Sequence, residues 1–264
     1  MAAEQASRLH NVTHRNIRII HSMRICAMAY FEGFVTAVPT ANKDAYLKHA
    51  TDGQAMMKEH GVTRMVENWG DDVAQGKVTD FQRAVQAKPE ETVLFSWFEY
   101  PDRKTRDAAN EKMMADPRME QMAESMPFDG KRMIYGGFDA ILDEGNGGKA
   151  GYTDGMVTPV PEANKDAYLE LARKTSKKFR DLGAVRVVEA WGDDIPDGKV
   201  TDYRRAVKAE SGETVAFSFI QWPDKATRDG AWQKLMEDPD MQDNAMPFDG
   251  KRMFWGGFAP LLDG

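Results

Sequence analysis

Two glutamates lie at strand positions that are costly for a carboxyl group. Glu67 stands between Met65 and Trp69 on one face of a predicted strand, and Glu189 stands between equivalent apolar residues. A carboxyl group in such surroundings either pairs with a cation or has a raised pKa. A raised pKa is typical of a general acid or base, so we predict that Glu67 and Glu189 are catalytic. A structural ion pair is the alternative.

Basic residues near neighbouring strands are candidate partners for these carboxylates. They are Arg83, Lys131 and Arg132 in the first half of the chain and Arg205, Lys251 and Arg252 in the second. An ion pair with one of them would make the glutamates structural. In a catalytic site, Arg83 and Arg205 would instead hold an anionic group of the substrate.

Aromatic residues on the same strands indicate a ligand cavity between a sheet and its helices. The predicted ligand-binding residues are Trp69, Arg83, Trp97, Trp191, Arg205 and Phe219. Aromatic side chains in strands also form ordinary hydrophobic core, and this alternative stays open. Trp232 stands in the second half where the first has Asn110, which predicts cavities of different shape.

The pattern of histidines and acidic residues argues against a metal site. His49 and His60 of the first half correspond to Leu171 and Leu182, so no histidine site exists in both halves. The loop that begins at Asp71 lacks the carboxylates that an EF-hand needs at its third and twelfth positions. The sequence contains no phosphate-binding glycine loop either. We therefore predict no metal and no cofactor.

The second half of the chain repeats the first. The segment 33–143 recurs as 155–263, and Met126 to Met133 returns unchanged as Met246 to Met253. A repeat of this length is a whole domain rather than a solenoid unit. The predicted divisions are a disordered leader at 1–27, a first repeat at 28–143, a linker at 144–151 and a second repeat at 152–264.

Each repeat has the hydrophobic pattern of a β-α-β-β-α-β unit. In the first repeat the predicted strands cover 30–38, 62–69, 92–100 and 131–142. The first helix should end at Gly61, because glycine suits the residue that follows a helix C-terminus. The second should end near Asp116, because Pro117 disfavours helical backbone in the residue before it.

A unit of this kind is a four-stranded antiparallel sheet with both helices on one face. Its other face needs a cover, and two units joined by a short linker can cover each other. We therefore predict an α+β fold. In it, two ferredoxin-like repeats pair their sheets into an intramolecular α/β barrel.

Four groups of motifs resemble the YbaA-like family of bacterial proteins. In the first repeat they begin at Gly33-Phe34-Val35, Trp69-Gly70-Asp71-Asp72, Phe95-Ser96-Trp97 and Met126-Pro127-Phe128-Asp129. The resemblance covers nearly everything after Met28 and implies a tandem fusion of two single-repeat members. It also implies a ferredoxin-like domain of unknown function in the dimeric α/β-barrel superfamily, and it brings no catalytic residues.

Composition limits the partners and the location of the protein. A net charge of −7 with mixed signs argues against a nucleic-acid partner. No apolar run approaches the roughly 20 residues of a membrane span, so we predict no membrane partner. The single Cys26 excludes a disulfide framework and fits a reducing compartment, which predicts a cytoplasmic protein.

The sequence therefore predicts an α/β barrel that binds a small molecule, without identifying the ligand. It leaves open whether the protein forms further homo-oligomers. One alternative is a cofactor-independent enzyme, monooxygenase- or isomerase-like, that acts on small metabolites. The other is a barrel that serves assembly alone. An apolar cavity with an unpaired glutamate favours the enzyme, and a filled interior with salt-bridged glutamates favours assembly.

Overall fold

The computed structural model describes residues 29–145, 150–239 and 246–264. The predicted leader lies outside them, as do positions 146–149 of the predicted linker. The first half contains β1 (Tyr30–Pro39), α1 (Lys43–His60), β2 (Arg64–Asp72), α2 (Phe81–Ala84), β3 (Glu91–Tyr100), α3 (Arg103–Ala115), α4 (Pro117–Glu124) and β4 (Ile134–Gly145). The second contains β5 (Tyr152–Pro161), α5 (Lys165–Asp181), β6 (Arg186–Asp194), α6 (Tyr203–Ala206), β7 (Glu213–Trp222), α7 (Lys225–Met236) and β8 (Phe254–Asp263).

Local sequence signals set most of these boundaries. Helix α1 ends at His60, and Gly61 follows with φ +122°, a backbone conformation that glycine adopts without a Cβ penalty. Helix α3 stops before Asp116, which is extended ahead of Pro117. Strand β4 begins later than predicted, because 130–132 form a 3₁₀ turn whose first backbone groups are capped by the Asp129 side chain.

All eight strands form one closed antiparallel barrel. Their order around it is β1-β3-β2-β8-β5-β7-β6-β4. The two halves join where β2 pairs with β8 and where β4 pairs with β6. Closure satisfies the backbone groups that a sheet edge would leave unpaired. The predicted α+β class and eight-stranded barrel are thereby confirmed.

The interior of the barrel is filled by aromatic side chains from both halves. Phe95 stacks on Phe217 with ring centroids 4.4 Å apart, and Trp97 stacks on Phe219 at 4.0 Å. All four side chains are fully buried. A Cβ atom at Gly33 would lie only 2.7 Å from the Phe217 ring, so glycine makes room for the first stack. The core therefore belongs to neither half alone.

Acidic residues at the ends of β2 and β6 fasten each half to the other. Asp72 pairs with the buried Arg228 at 2.7 Å, and Asp194 pairs with the buried Arg106 at 2.6 Å. Beside the first pair, the Tyr152 hydroxyl donates to Asp71. The acidic residues at these two strand ends thus carry contacts between the halves.

The short helices α2 and α6 also bridge the halves. Thr79 Oγ1 donates to the Ala206 carbonyl, and Thr201 Oγ1 donates to the Ala84 carbonyl, both at 2.6 Å. Each bond is buried and crosses from one half to the other. The exchange is symmetric, as expected for a duplicated chain.

Replacing Thr201 with valine is expected to lower the free energy of unfolding by about 1–2 kcal/mol. The shape is kept, but the buried Ala84 carbonyl loses its donor. Urea denaturation followed by tryptophan fluorescence measures the change. Thr51→Val is the control, because Thr51 is exposed and bonds only within its own helix. Equal effects from both substitutions would contradict a special role for Thr201.

Candidate functional site

The first half contains a cavity of about 510 Å³ between the outer face of its sheet and helices α1, α3 and α4. Its wall is mainly apolar and includes eight methionines. Two of its lining residues, Met114 and Tyr135, are 88% and 48% exposed. The cavity therefore extends to the protein surface.

Glu67 lines this cavity from β2 and is only 4% exposed. The Tyr46 hydroxyl of α1 donates to Glu67 Oε2 at 2.7 Å, and the Ser96 hydroxyl of β3 donates to the same oxygen. No described residue donates a hydrogen bond to Oε1. One oxygen is thus held by the protein, and the other is available to a ligand in the cavity.

Burial raises the pKa of Glu67 to about 7, although the two hydroxyl donors act in the opposite direction. The carboxyl group therefore keeps its proton to a higher pH than an ordinary glutamate does. A group with this property can take up or release a proton in a reaction.

The alternative in which Glu67 pairs with a basic residue is not found among the described residues. Arg132 instead pairs with Glu91 at 2.6 Å, and Arg83 lies 3.3 Å from Asp80. In the second half Arg252 likewise pairs with Glu213. Glu91, Asp80 and Glu213 each lie beside one of these arginines. Glu67 and Glu189 lie farther from them, because their side chains face the helices. Within the described residues, neither glutamate forms a salt bridge.

A second buried carboxyl group, Glu32 of β1, lines the same cavity. Asn110 donates to its Oε1 at 3.1 Å and Tyr100 to its Oε2 at 3.3 Å, while Arg106 lies 4.0 Å away. Burial raises the pKa of Glu32 as well. Sequence reasoning missed this residue, although it shares a strand face with Phe34, as Glu67 does with Met65.

The second half repeats the arrangement around Glu189 but not the cavity. Tyr168 donates to Glu189 Oε2 at 2.6 Å, Ser218 donates to the same oxygen, and burial raises the pKa of Glu189. The cavity beside it measures only about 140 Å³. Within the described residues, the carboxyl environment is thus duplicated, whereas the cavity beside it is much smaller.

Two side chains in this region are larger than their counterparts in the first half. Phe179 stands where the first half has Met57, and Trp232 stands where it has Asn110. Their rings meet edge to face at 5.6 Å. Trp232 also stacks on Trp255, the counterpart of Tyr135, with ring centroids 5.8 Å apart.

The indole of Trp232 is fixed by a hydrogen bond as well as by packing. Its Nε1 donates to Asp154 at 2.8 Å, in the place where Asn110 donates to Glu32. The outer side of Trp232 lines a separate cavity of about 710 Å³ that does not include Glu189. Trp232 therefore divides the space that is continuous in the first half.

The predicted ligand-binding aromatics lie in two different places. Trp97 and Phe219 are inside the barrel and line neither glutamate cavity. Strand alternation explains this, because Trp97 lies between Ser96 and Phe98, which face the helices. Trp69 and Trp191 lie on the helix side, each under a lysine ammonium group 5.1 Å from the ring.

The two predicted arginines are far more exposed than the glutamates. Arg83 Nη1 donates to the Gly76 carbonyl and Arg205 Nη2 to the Gly198 carbonyl, so both hold surface turns. Neither lines a glutamate cavity. Of the eight predicted site residues, the structure thus places Glu67 and Glu189 at cavities, and a ligand role for the others stays a prediction.

No described helix has both the length and the apolar character needed to cross a membrane. In the same parts of the chain, no three His, Cys, Asp or Glu side chains are grouped so as to hold a metal ion.

The fold and the cavity define the class of this protein, which is an antiparallel α/β barrel with a cavity between one sheet and its helices. Comparison of the sequence with known protein families identifies the family. The model described as "Protein of unknown function (DUF1428)" matches residues 29–130 and again residues 151–250, and the chain belongs to this family.

Two curated relatives are less than half as long as this chain. "Uncharacterized protein YbaA" of Escherichia coli strain K12 is 59% identical over 117 residues, which are 44% of this chain and 100% of the relative. The Shigella flexneri protein of the same description matches to the same extent. The predicted resemblance to a tandem of two YbaA-like domains is confirmed.

Solved structures share the fold at low sequence identity. A putative monooxygenase from Fusobacterium nucleatum has a TM-score of 0.53 and 11% identity, with 90% of this chain and 94% of that chain covered. A putative monooxygenase from Lactobacillus acidophilus has a TM-score of 0.53 and 9% identity, with 90% and 96% covered. An anthrone oxidase-like protein has a TM-score of 0.51 and 11% identity, with 90% and 93% covered.

Proposed function

We propose that the protein binds one small apolar molecule in the cavity beside Glu67. The observation that carries the proposal is the difference between the halves, with about 510 Å³ beside Glu67 and about 140 Å³ beside Glu189. Ligand cavities in proteins typically measure roughly 300–1,000 Å³ and are mostly apolar with a few polar groups. The first cavity fits this description, and the second is too small.

We also infer that each half is a ferredoxin-like β-α-β-β-α-β unit. The strand order β4-β1-β3-β2 and its copy β8-β5-β7-β6 support this inference. Pairing the inner faces of the two sheets leaves the outer faces to the helices. The ligand therefore binds outside the barrel, under the helices, rather than within it.

Glu67 supports a second candidate function, a cofactor-independent enzyme of monooxygenase- or isomerase-like type. With a pKa near 7, Glu67 is suited to remove a proton from a bound substrate and to return it. The neighbours described as putative monooxygenases share only the fold at 9–11% identity, so the candidate depends on Glu67 itself. In this case Glu67→Gln abolishes turnover, and Glu189→Gln leaves it unchanged.

The binding proposal can be tested with prodan, a neutral fluorescent probe with an apolar ring system. The wild-type protein should bind one prodan molecule. The double variant Met57→Phe/Asn110→Trp should bind it at least about tenfold more weakly, because the new rings fill the cavity. Both residues are those that the second half carries at equivalent positions, so the fold accommodates them there.

The matched control opens the other half. Phe179→Met/Trp232→Asn gives the second half the side chains of the first, and it should create a second prodan site. Native mass spectrometry of freshly purified protein adds an independent measurement: a co-purified ligand should be lost in the filled variant alone. Undiminished prodan affinity in the filled variant would overturn the proposal.

A further inference from the structure

The cavity of the first half contains acidic groups and no basic counterpart. Glu67 and Glu32 line it, and none of its described lining residues is Lys or Arg. His49 lines it from α1, but burial lowers the pKa of His49, so its ring is neutral at pH 7. A carboxylate or phosphate ligand would therefore find no cationic group among the described lining residues.

Glu67 is the carboxyl group with an oxygen left for a ligand. Tyr46 and Ser96 both donate to Oε2, and no described residue donates to Oε1. Glu32 differs, because it has a donor at each oxygen and Arg106 at 4.0 Å. A polar group of a ligand is thus best satisfied at Glu67 Oε1.

The donors around Glu67 favour its ionised form. Hydroxyl groups that donate to a carboxylate stabilise the charge. Glu67 is therefore arranged as a hydrogen-bond acceptor, and a ligand that suits it must bring a donor. A cationic donor offsets the cost of burying the carboxylate more than a neutral donor does, because it adds an opposite charge to the hydrogen bond.

The remaining wall of the cavity suits a cation attached to an apolar body. Phe34 and Phe98 present aromatic rings, and aromatic faces attract cations. The methionine thioethers are polarisable and adapt to irregular apolar shapes. The wall and the carboxylate thus favour the same kind of molecule.

We propose that the ligand of this cavity is an apolar amine that binds as its ammonium ion. An N–H group donates to Glu67 Oε1, and the carbon body packs against the methionines and the two phenyl rings. This inference rests on the proposed function, because it requires that the first cavity holds a ligand.

Three naphthalene derivatives with the same ring system and different charge provide the test. They are 1-naphthylmethylamine, which is cationic at pH 8, 1-naphthalenemethanol, which is neutral, and 1-naphthoic acid, which is anionic. Calorimetric titration should find the amine bound at least about tenfold more tightly than the alcohol, as a charge-assisted hydrogen bond provides. The acid should not bind.

Substitution of each glutamate then locates the preference. Glu67→Gln should remove the advantage of the amine and change affinity for the alcohol by less than about threefold, which also reports that the cavity is intact. Glu189→Gln, in the filled half, should preserve the advantage.

Two outcomes would overturn the inference, and they are distinguishable. If the alcohol binds wild type as tightly as the amine, the ligand class is wrong while cavity binding stands. If neither compound binds, and prodan affinity is the same in the wild-type and filled variants, the proposed function fails together with this inference.

Discussion

Replacing Phe217 with alanine is expected to lower the free energy of unfolding by about 4 kcal/mol. Phe217 is fully buried and stacks on Phe95 of the other half at 4.4 Å. Its ring centroid also lies 5.1 Å from that of Phe138 and 6.2 Å from that of Tyr203. The closed barrel cannot collapse around the vacated space, because its walls are fixed by the strand ladder. The loss therefore includes the cost of a cavity as well as that of the removed ring.

Phe34→Ala is the matched control for this prediction. Phe34 lies on the opposite face of its sheet, is half-buried and lines the first-half cavity. Its removal enlarges an existing space, so the expected loss is less than about 2 kcal/mol. Guanidinium denaturation, followed by circular dichroism and tryptophan fluorescence together, measures both variants. A loss from Phe217→Ala no larger than that from Phe34→Ala would contradict a shared aromatic core.

The second large effect concerns pH. Glu67 titrates near its ordinary pKa of 4.5 in the unfolded chain and at about 7 in the folded protein. Glu67 therefore binds its proton more tightly in the folded state than in the unfolded chain. The stability that this proton contributes to the folded state is complete below pH 4.5. As pH rises from 4.5 through 7, the free energy of unfolding should fall by about 3 kcal/mol on account of Glu67.

Glu67→Gln isolates this contribution, since the amide oxygen can accept hydrogen bonds from both Tyr46 and Ser96. We compare the free energies of unfolding of the variant and the wild type at two pH values. Between pH 4.5 and pH 8, the difference between the two proteins should change by about 3 kcal/mol in favour of the variant. Glu32 and Glu189 titrate in both proteins, so their effects cancel in the comparison. Urea denaturation at the two pH values supplies the measurement. If the difference in free energy of unfolding between the two proteins does not change with pH, the pKa of Glu67 is not raised.

Sequence reasoning predicted the elements of the fold because their signals are local. Alternation defined the strands, and Gly61 and Pro117 defined helix ends. The duplication indicated a second sheet to cover the first. The late start of β4 was missed, because the 3₁₀ turn before it depends on a single side-chain cap at Asp129.

The site was predicted less completely, because its contacts join distant residues. The position of Glu67 on an apolar strand face was visible, but its partners were not. Tyr46 comes from a helix 21 residues earlier, and helix rotation relative to a sheet is not readable from periodicity. Trp97 has the same strand parity as Phe95, and this alternation indicates the barrel interior, where the structure places it.

Joining both halves in one polypeptide has an evolutionary consequence. In a barrel assembled from two identical chains, every substitution occurs twice, so a tryptophan that obstructs one chamber obstructs its twin. Here Trp232 affects one side only. Selection can therefore fill one half with larger side chains, so that it only supports the fold, while the other half keeps its chamber. A homodimer cannot reach such a difference between its halves by point mutation.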